Sequence, residues 1–280
     1  MKAAAFDYHR PGSLAEALEL LRAGEGAAKA MSGGQSLGPM LNLRLTRPAT
    51  VVDISGLAEL RRVHGSASGI DVGAAVTHAE IEDGTHAPLR GHPVQQAAAG
   101  IAYRAVRNRG TVGGSLAHAD PAADWMIVMT ALGAELSLVS SRGTRRIPID
   151  GFMQGAYTTV IDADELIQTV HLPPLPPDAR WGYYKFCRKP GEFAETSAAV
   201  LLAPSARTAR VVLGALDGAP RLLPGLAAHI AGHGSADAET IAAAVRQALP
   251  DSDAIDRKRH AAGLRRALAQ AALLAEGAAA

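Results

Sequence analysis

Two glycine-rich segments decide the fold of this chain: Met31-Ser32-Gly33-Gly34-Gln35-Ser36-Leu37 and Arg107-Asn108-Arg109-Gly110-Thr111-Val112-Gly113-Gly114-Ser115. They are named here the first loop (31–37) and the second loop (107–115). Consecutive glycines reach positive φ angles and have no Cβ, so their backbone N–H groups can converge on an anion. Flanking Ser and Thr hydroxyls add further donors. Two such loops are expected to hold a ligand with two phosphates, one loop on each side.

Neither loop matches two well-known phosphate-binding motifs. No Gly-Lys-Ser/Thr follows either glycine pair, so neither is a P-loop, and neither contains the Rossmann pattern G-x-G-x-x-G. The run Gly232-His233-Gly234 begins that second pattern, but the chain has no glycine at the pattern's last position. Two tight turns with no ligand remain the alternative interpretation of the loops.

The composition narrows the possible functions. The chain has 280 residues, with 28 Lys plus Arg against 27 Asp plus Glu and a net charge of +1. That balance gives no electrostatic footprint for nucleic acid. The single cysteine, Cys187, excludes an internal disulfide, a thiolate-ligated zinc site and an iron–sulfur cluster of the chain's own. The most apolar stretch, 126–139, is too short to span a bilayer, so we expect a soluble, cytoplasmic protein.

The first part of the chain is typical of a small parallel α/β unit over about residues 1–57. Ser13-Leu14-Ala15-Glu16 is a capping box, and the apolar residues that follow repeat with helical spacing. Short apolar runs at 27–31 and 51–54 indicate buried strands. A strand–helix–strand order of this length favours a parallel arrangement.

Residues 58–175 are predicted to form an α+β unit. A second capping box, Thr77-His78-Ala79-Glu80, opens a short helix, and Ser141-Arg142-Gly143 is typical of a hairpin turn. Strands are predicted at 69–77, 135–140, 144–149 and 165–172, and a helix at 93–102.

A proline-rich segment, Pro173-Pro174-Leu175-Pro176-Pro177, is the best linker candidate. It divides the chain into a domain of residues 1–175 and a domain of residues 178–280. The second domain is predicted to hold strands at 181–188, 197–203 and 210–215, followed by helices at about 224–231, 237–248 and 254–275.

Further motifs, together with the two loops, carry a resemblance to a known family. They are Ala119-Asp120-Pro121-Ala122-Ala123-Asp124, Phe6-Asp7-Tyr8-His9-Arg10-Pro11, Arg44-Leu45-Thr46-Arg47-Pro48, Gly155-Ala156-Tyr157, and Lys185-Phe186-Cys187-Arg188-Lys189 with Glu192-Phe193-Ala194. In these motifs the chain resembles the FAD-binding medium subunit of the molybdenum hydroxylases. That family includes aerobic carbon monoxide dehydrogenase and the flavin domain of xanthine dehydrogenase. The resemblance runs from about residue 2 to the final helix.

This resemblance implies an α+β fold. The FAD-binding domain would be of the vanillyl-alcohol-oxidase/p-cresol-methylhydroxylase type, with a small α/β subdomain (about 1–57) and an α+β subdomain (58–175). Behind it would lie a C-terminal α+β domain of the carbon monoxide dehydrogenase flavoprotein type. That domain is expected to contain a three-stranded antiparallel sheet and helices.

The resemblance also implies which residues contact FAD. Pyrophosphate contacts from the first loop fall on Ser32, Gly33, Gly34, Gln35, Ser36 and Leu37, and contacts on the other side fall on Thr111, Gly113, Gly114 and Ser115. Ile101, Asp124, Leu166 and Lys185 would lie along the flavin and its adenosine, with an aromatic residue at position 193 near the isoalloxazine. The family commonly has Ala at position 32 and Asn at position 115, where this chain has serine.

The function implied is electron transfer. FAD would accept electrons from [2Fe-2S] clusters on a small subunit of a complex whose large subunit holds the molybdenum cofactor. An external quinone, cytochrome or NAD would then take them, and no residue of this chain would be catalytic toward the organic substrate. Two alternatives stay open: a stand-alone FAD-dependent NAD(P)H reductase of related fold, and a non-catalytic scaffold or binding module.

Other polar clusters have simpler interpretations. His118, Asp120 and Asp124 form an H-x-D-x₃-D run, which we interpret as hydrogen-bonding groups around the flavin loop and not as a metal site. The arginines at 104, 107 and 109 are expected to play a local structural role. No Ser–His–Asp pattern is evident in the sequence.

Overall fold

In the computed structural model, which describes residues 2–273, the chain begins with a three-stranded parallel sheet. The sheet order is β1-β3-β2, which confirms the predicted parallel arrangement. Its elements are β1 (Asp7–His9), α1 (Leu14–Ala23), β2 (Ala28–Met31), α2 (Leu37–Asn42) and β3 (Thr50–Asp53).

Helix α1 begins at the predicted cap, with one difference. The Ser13 hydroxyl accepts the backbone N–H of Glu16, as expected of a capping box. The Glu16 carboxylate accepts the N–H of Gly12 at 2.7 Å, one residue before the position that a capping box requires. The apolar stripe of α1, with Leu18 and Leu21, is buried against the sheet.

An antiparallel sheet of five strands, in the order β4-β5-β10-β6-β7, forms the second unit. The predicted hairpin and the second capping box are confirmed. The strand predicted over 69–77 ends at Gly73, because Thr77 pairs instead with Thr111 of the second loop. The strands are β4 (Val63–Ser66), β5 (Gly69–Gly73), β6 (Glu135–Ser140), β7 (Gly143–Pro148), a small pair β8 (Met153–Gly155) and β9 (Thr158–Thr159), and β10 (Leu166–Leu172).

This unit also contains five helices, and the last of them lies buried at its centre. They are α3 (His78–Glu82), α4 (Pro93–Ala99), α5 (Arg104–Arg107), α6 (Val112–His118) and α7 (Asp124–Leu132). Every residue of α7 is buried, and the helix packs against α4 and α6 and also against two strands of the next unit. Because it is buried on all sides, α7 joins the two halves of the chain through one continuous core.

The last unit is a four-stranded antiparallel sheet covered by helices. Three strands were expected; a two-residue strand, β14, pairs with β13 and adds a fourth. The predicted final helix ends at Gln270, and residues 274–275 of that prediction lie outside the described part of the chain. The elements are β11 (Arg180–Phe186), β12 (Thr196–Ala203), β13 (Thr208–Gly214), β14 (Arg221–Leu222), α8 (Pro224–His233), α9 (Ala238–Ala248) and α10 (Ala254–Gln270). Among residues 2–273, none of the helices has the length and apolarity that crossing a membrane requires.

Strand β11 touches α10 most closely at Gly182. A Cβ at this position would overlap the backbone carbonyl of Ala267, which cannot rotate away. We expect Gly182→Ala to lower the free energy of unfolding by about 1–3 kcal/mol, measured by urea denaturation. The matched control is Gly232→Ala in α8, where no atom lies within 4 Å of the new Cβ. That variant should be neutral or about 0.5–1 kcal/mol more stable, since alanine favours a helix; equal destabilisation of both variants would contradict the close contact.

Candidate functional site

The two glycine loops meet, although 79 residues separate the hydroxyls that join them. Thr111 Oγ1 donates to Ser32 Oγ at 3.0 Å. Gly33 lies against the backbone of the second loop so closely that a Cβ would overlap the carbonyl oxygen of Arg109. The absence of a side chain at Gly33 is therefore required for the loops to touch, and Gly33 and Thr111 border one cleft at this contact.

The first loop presents a run of free backbone donors. The ladder between β2 and β3 ends where Ile54 donates to the carbonyl of Met31. After that point no acceptor within residues 2–273 receives the backbone N–H groups of residues 32–37. Gly34 has a φ of +71°, which turns the chain, and Gln35 Nε2 closes the turn by donating to the carbonyl of Gly33 at 3.2 Å. Successive free N–H groups in such a turn form a concave anion site.

The second loop uses its backbone donors differently. The N–H of Gly113 donates to the carbonyl of Ala74 at 2.9 Å, and the N–H of Gly114 donates to Thr111 Oγ1 at 3.1 Å. The idea that these N–H groups point at an anion is therefore wrong for both glycines in this structure. Gly113 instead lets α6 approach Ala74, where a Cβ would overlap. What this loop offers a ligand is the exposed surface of Gly114 and the half-buried hydroxyl of Ser115, so its predicted contacts with FAD stay predictions.

A buried ion pair brings together two further predicted residues, Asp124 and Lys185. Asp124 is the first residue of α7 and its side chain is 8% exposed, while that of Lys185 is 13% exposed. Lys185 Nζ lies 2.7 Å from Asp124 Oδ1, and the hydroxyl of Tyr183 donates to the same oxygen at 2.6 Å. Burial, and then the charge of Asp124, raise the pKa of Tyr183 well above its ordinary value, so this hydroxyl stays protonated. Lys185 is thus not a solvated edge charge, the usual position of lysine on a strand.

Ile101 follows a glycine near this pair, whereas Leu166 lies elsewhere. A Cβ added at Gly100, the neighbour of Ile101, would lie 4.0 Å from the Lys185 side chain. Leu166 begins β10 opposite Val139 and is buried in the core beneath the parallel sheet. Their roles in binding a cofactor stay predictions. Phe193, for which a place near the isoalloxazine was expected, is 68% exposed.

The arginines around the second loop divide into two groups. Arg104 pairs with Glu82 and Asp83, and Arg107 pairs with Glu82 at 2.7 Å and donates to the carbonyl of Ile101 at 2.8 Å. Their predicted structural role is confirmed. Arg109, in contrast, is exposed and forms no ion pair with any described residue. It lines a polar cleft of about 510 Å³ that Gly33 and Thr111 also border.

The H-x-D-x₃-D run does not converge. The ring of His118 contacts that of Tyr157, whereas Asp120 accepts hydrogen bonds from Tyr157 at 3.3 Å and from the N–H of Ala122. Asp124 is engaged by Lys185. Across residues 2–273 there is no group of three or more acidic, histidine or cysteine side chains placed to hold a metal ion.

The structure also contains a Ser–His–Asp array that the sequence analysis missed. Ser137 Oγ lies 2.6 Å from His171 Nε2, and His171 Nδ1 lies 2.6 Å from Asp71. The three residues come from neighbouring strands β6, β10 and β5, so only the strand register brings them together. Because β6 is paired on both sides, its backbone N–H groups are occupied in the ladders, which leaves no oxyanion hole beside Ser137. The array is therefore a hydrogen-bonded row on the sheet and not an acyl-transfer centre.

Comparison with known proteins agrees with this geometry. Residues 4–175 match the family described as the FAD binding domain in molybdopterin dehydrogenase. The medium subunit of nicotine 6-hydroxylase from Paenarthrobacter nicotinovorans is 39% identical over 204 residues, which cover 72% of this chain and 70% of that protein. Caffeine dehydrogenase subunit beta from Pseudomonas sp. (strain CBB1) is 36% identical over 228 residues, 79% of this chain and 76% of that one.

A solved structure of carbon monoxide dehydrogenase from Hydrogenophaga pseudoflava matches over almost the whole chain. The TM-score is 0.89 at 29% identity, covering 97% of this chain and 98% of that one. The chain thus belongs to the FAD-binding medium subunits of the molybdenum hydroxylases. Its cofactor is FAD, and its class is that of subunits of oxidoreductase complexes.

The residues present fit FAD. Six consecutive free N–H groups in the first loop match the need of a pyrophosphate for donors. The Ser32 hydroxyl accepts from Thr111, so its own proton remains for a ligand, and Ser115 adds a half-buried hydroxyl in the second loop. The Lys185 ammonium has one described partner, so two of its three N–H groups remain for a ligand.

Gly33 provides a direct test of the contact between the loops. Since a Cβ would overlap the Arg109 carbonyl, Gly33→Ala should force the loops apart and weaken FAD binding by at least about tenfold. The control is Gly38→Ala, five residues further along, where a Cβ meets nothing within 4 Å. FAD titrations followed by quenching of flavin fluorescence measure both variants. Equal dissociation constants for Gly33→Ala and Gly38→Ala would show that FAD binding does not depend on this contact.

A buried histidine supports the second loop from below. The indole N–H of Trp125 donates to His78 Nδ1 at 3.0 Å, and the backbone N–H of His78 donates to the carbonyl of Gly110 at 2.9 Å. Burial, with a smaller contribution from the positive charge of Arg107, lowers the pKa of His78 from 6.5 to about 3. His78 is consequently neutral at physiological pH.

This low pKa predicts a pH-dependent stability. Between pH 6.5 and about 3 the unfolded chain binds one more proton at His78 than the folded chain does, so stability falls as the pH is lowered. We expect the free energy of unfolding, measured by urea denaturation, to fall less steeply for His78→Gln than for the unaltered chain. The difference should approach about 1.4 kcal/mol per pH unit between about pH 6 and pH 4. Parallel curves for the two chains would contradict the burial of a neutral imidazole.

Proposed function

We propose that this chain is the FAD-carrying electron-transfer subunit of a molybdenum-containing hydroxylase or dehydrogenase complex. It receives electrons from [2Fe-2S] clusters of a small subunit and passes them to an external acceptor such as a quinone, a cytochrome or NAD. The observation that carries the proposal is the run of free N–H groups at residues 32–37, in a loop that is held against the second loop. We expect these donors to bind a ligand and to take no part in its chemistry.

The residues of the candidate site have distinct roles in this proposal. The first loop binds the pyrophosphate charge through its N–H groups, and Arg109 adds an unpaired positive charge at the edge of the cleft. Asp124 and Lys185 orient the other end of the cofactor from a largely dry position. When bound, FAD supplies the conversion between one-electron and two-electron transfer.

The proposed partners come from the family to which the chain belongs. In that family the iron–sulfur clusters lie on a small subunit and the molybdenum cofactor on a large one, which is consistent with the single cysteine of this chain, too few to ligate a cluster. The complex acts in the cytoplasm, and substrate specificity resides in the large subunit. Residues 1–175 and 178–280 are proposed as the FAD-binding and C-terminal domains.

Electron transfer is tested with the FAD-loaded chain and two reductants under anaerobic conditions. A reduced [2Fe-2S] protein should bleach the oxidised flavin absorbance, whereas NAD(P)H with a small organic acceptor should give no steady turnover. Sustained NAD(P)H turnover would instead support a stand-alone reductase. A chain whose addition leaves the spectrum of FAD unchanged, even with its partner subunits present, would identify the glycine loops as ligand-free turns.

A further inference from the structure

We propose that Tyr183 is a positioning residue of the cofactor site: acting through Asp124, it fixes the ammonium group of Lys185 toward bound FAD. This inference rests on the proposed function, because it concerns how the FAD site is held. Tyr183 lies outside the motifs from which the cofactor contacts were predicted, and its aromatic ring places it in the main hydrophobic core.

Strand geometry puts Tyr183 and Lys185 on the same side of β11. Side chains two residues apart point to the same face of a strand, and both of these reach the same carboxylate oxygen, Oδ1 of Asp124. The other carboxylate oxygen, Oδ2, receives no hydrogen bond from any described residue. The carboxylate is thus held from one side only, which leaves Oδ2 free to accept from a ligand.

The hydroxyl of Tyr183 is suited to this task. Asp124 and Tyr183 are each less than a tenth exposed, so water cannot readily replace a lost hydrogen bond between them. A hydrogen bond to a buried charged group is worth more than one between neutral groups. Without the hydroxyl, the carboxylate would depend on Lys185 alone and would be free to turn, taking the ammonium group with it.

The contacts of Asp124 with Tyr183 and Lys185 also join the residues before the proline-rich segment to those after it. Asp124 begins α7, which is part of the central core, whereas Tyr183 and Lys185 come from the first strand after the proline-rich segment. A Cβ added at Gly100, next to the predicted flavin contact Ile101, would lie 4.0 Å from the Lys185 side chain. A role for Tyr183 in domain packing alone is the competing explanation, and it predicts an effect that does not depend on Asp124.

A double-mutant cycle in FAD affinity separates the two explanations. Tyr183→Phe keeps the ring and removes the hydroxyl, and we expect it to raise the dissociation constant of FAD about tenfold. In an Asp124→Ala background the same change should have no further effect. Tyr184→Phe is the matched control, because its ring packs on the opposite face beneath Arg266 and its hydroxyl has no described hydrogen bond. It should leave the dissociation constant unchanged.

A second cycle covers the case in which Asp124→Ala fails to fold. In a Lys185→Ala background, Tyr183→Phe should again change the FAD dissociation constant less than it does alone. An unchanged constant in Tyr183→Phe, or the same factor in every background, overturns the positioning role while leaving the proposed function intact. An unaltered chain that does not bind FAD, with or without its partner subunits, overturns both.

Discussion

The contact between Gly33 and the backbone of Arg109 is the constraint on which the site depends. It joins a loop that follows a parallel strand to a loop that precedes a helix of the antiparallel unit. No side chain fits between them, so the approach is set by backbone atoms, which cannot adjust by changing rotamer. The hydrogen bond from Thr111 Oγ1 to Ser32 Oγ, 3.0 Å long, adds a second contact between the same two loops. The two loops, although they come from different units, are therefore held together by direct contacts.

Helix α7 extends this constraint to the rest of the chain. It is buried along its whole length, with Trp125 hydrogen-bonded to the histidine beneath the second loop and Asp124 bonded to β11. A small displacement of α7 would change the support of the second loop and the position of Lys185 together. Such a displacement is costly, because every residue of the helix is buried and its apolar side chains pack in the core.

Much of the fold was predictable because its signals are local. The second capping box and the hairpin turn each depend on a few neighbouring residues, and the structure places both as expected. The array of Ser137, His171 and Asp71 was not predictable, since it requires the register of three strands. The pairing of the Gly113 N–H with the carbonyl of Ala74 was missed for the same reason, because the partner is distant in sequence. The alternation of side chains along β11 would have predicted that Tyr183 and Lys185 lie on one face. It could not have predicted that Asp124 contacts both of them.

The electrostatics of the site explain why binding is separated from acid–base chemistry here. A general acid or base works best with a pKa near the working pH and with a proton free to move. His78 is held neutral with a pKa of about 3, and Asp124 is occupied by an ammonium group and a hydroxyl. The groups left for a ligand are the N–H dipoles of the first loop, serine hydroxyls, the Oδ2 oxygen of Asp124 and the guanidinium of Arg109. Such groups bind and orient an anionic cofactor without exchanging protons with a substrate, which suits the electron-carrying role proposed for this chain.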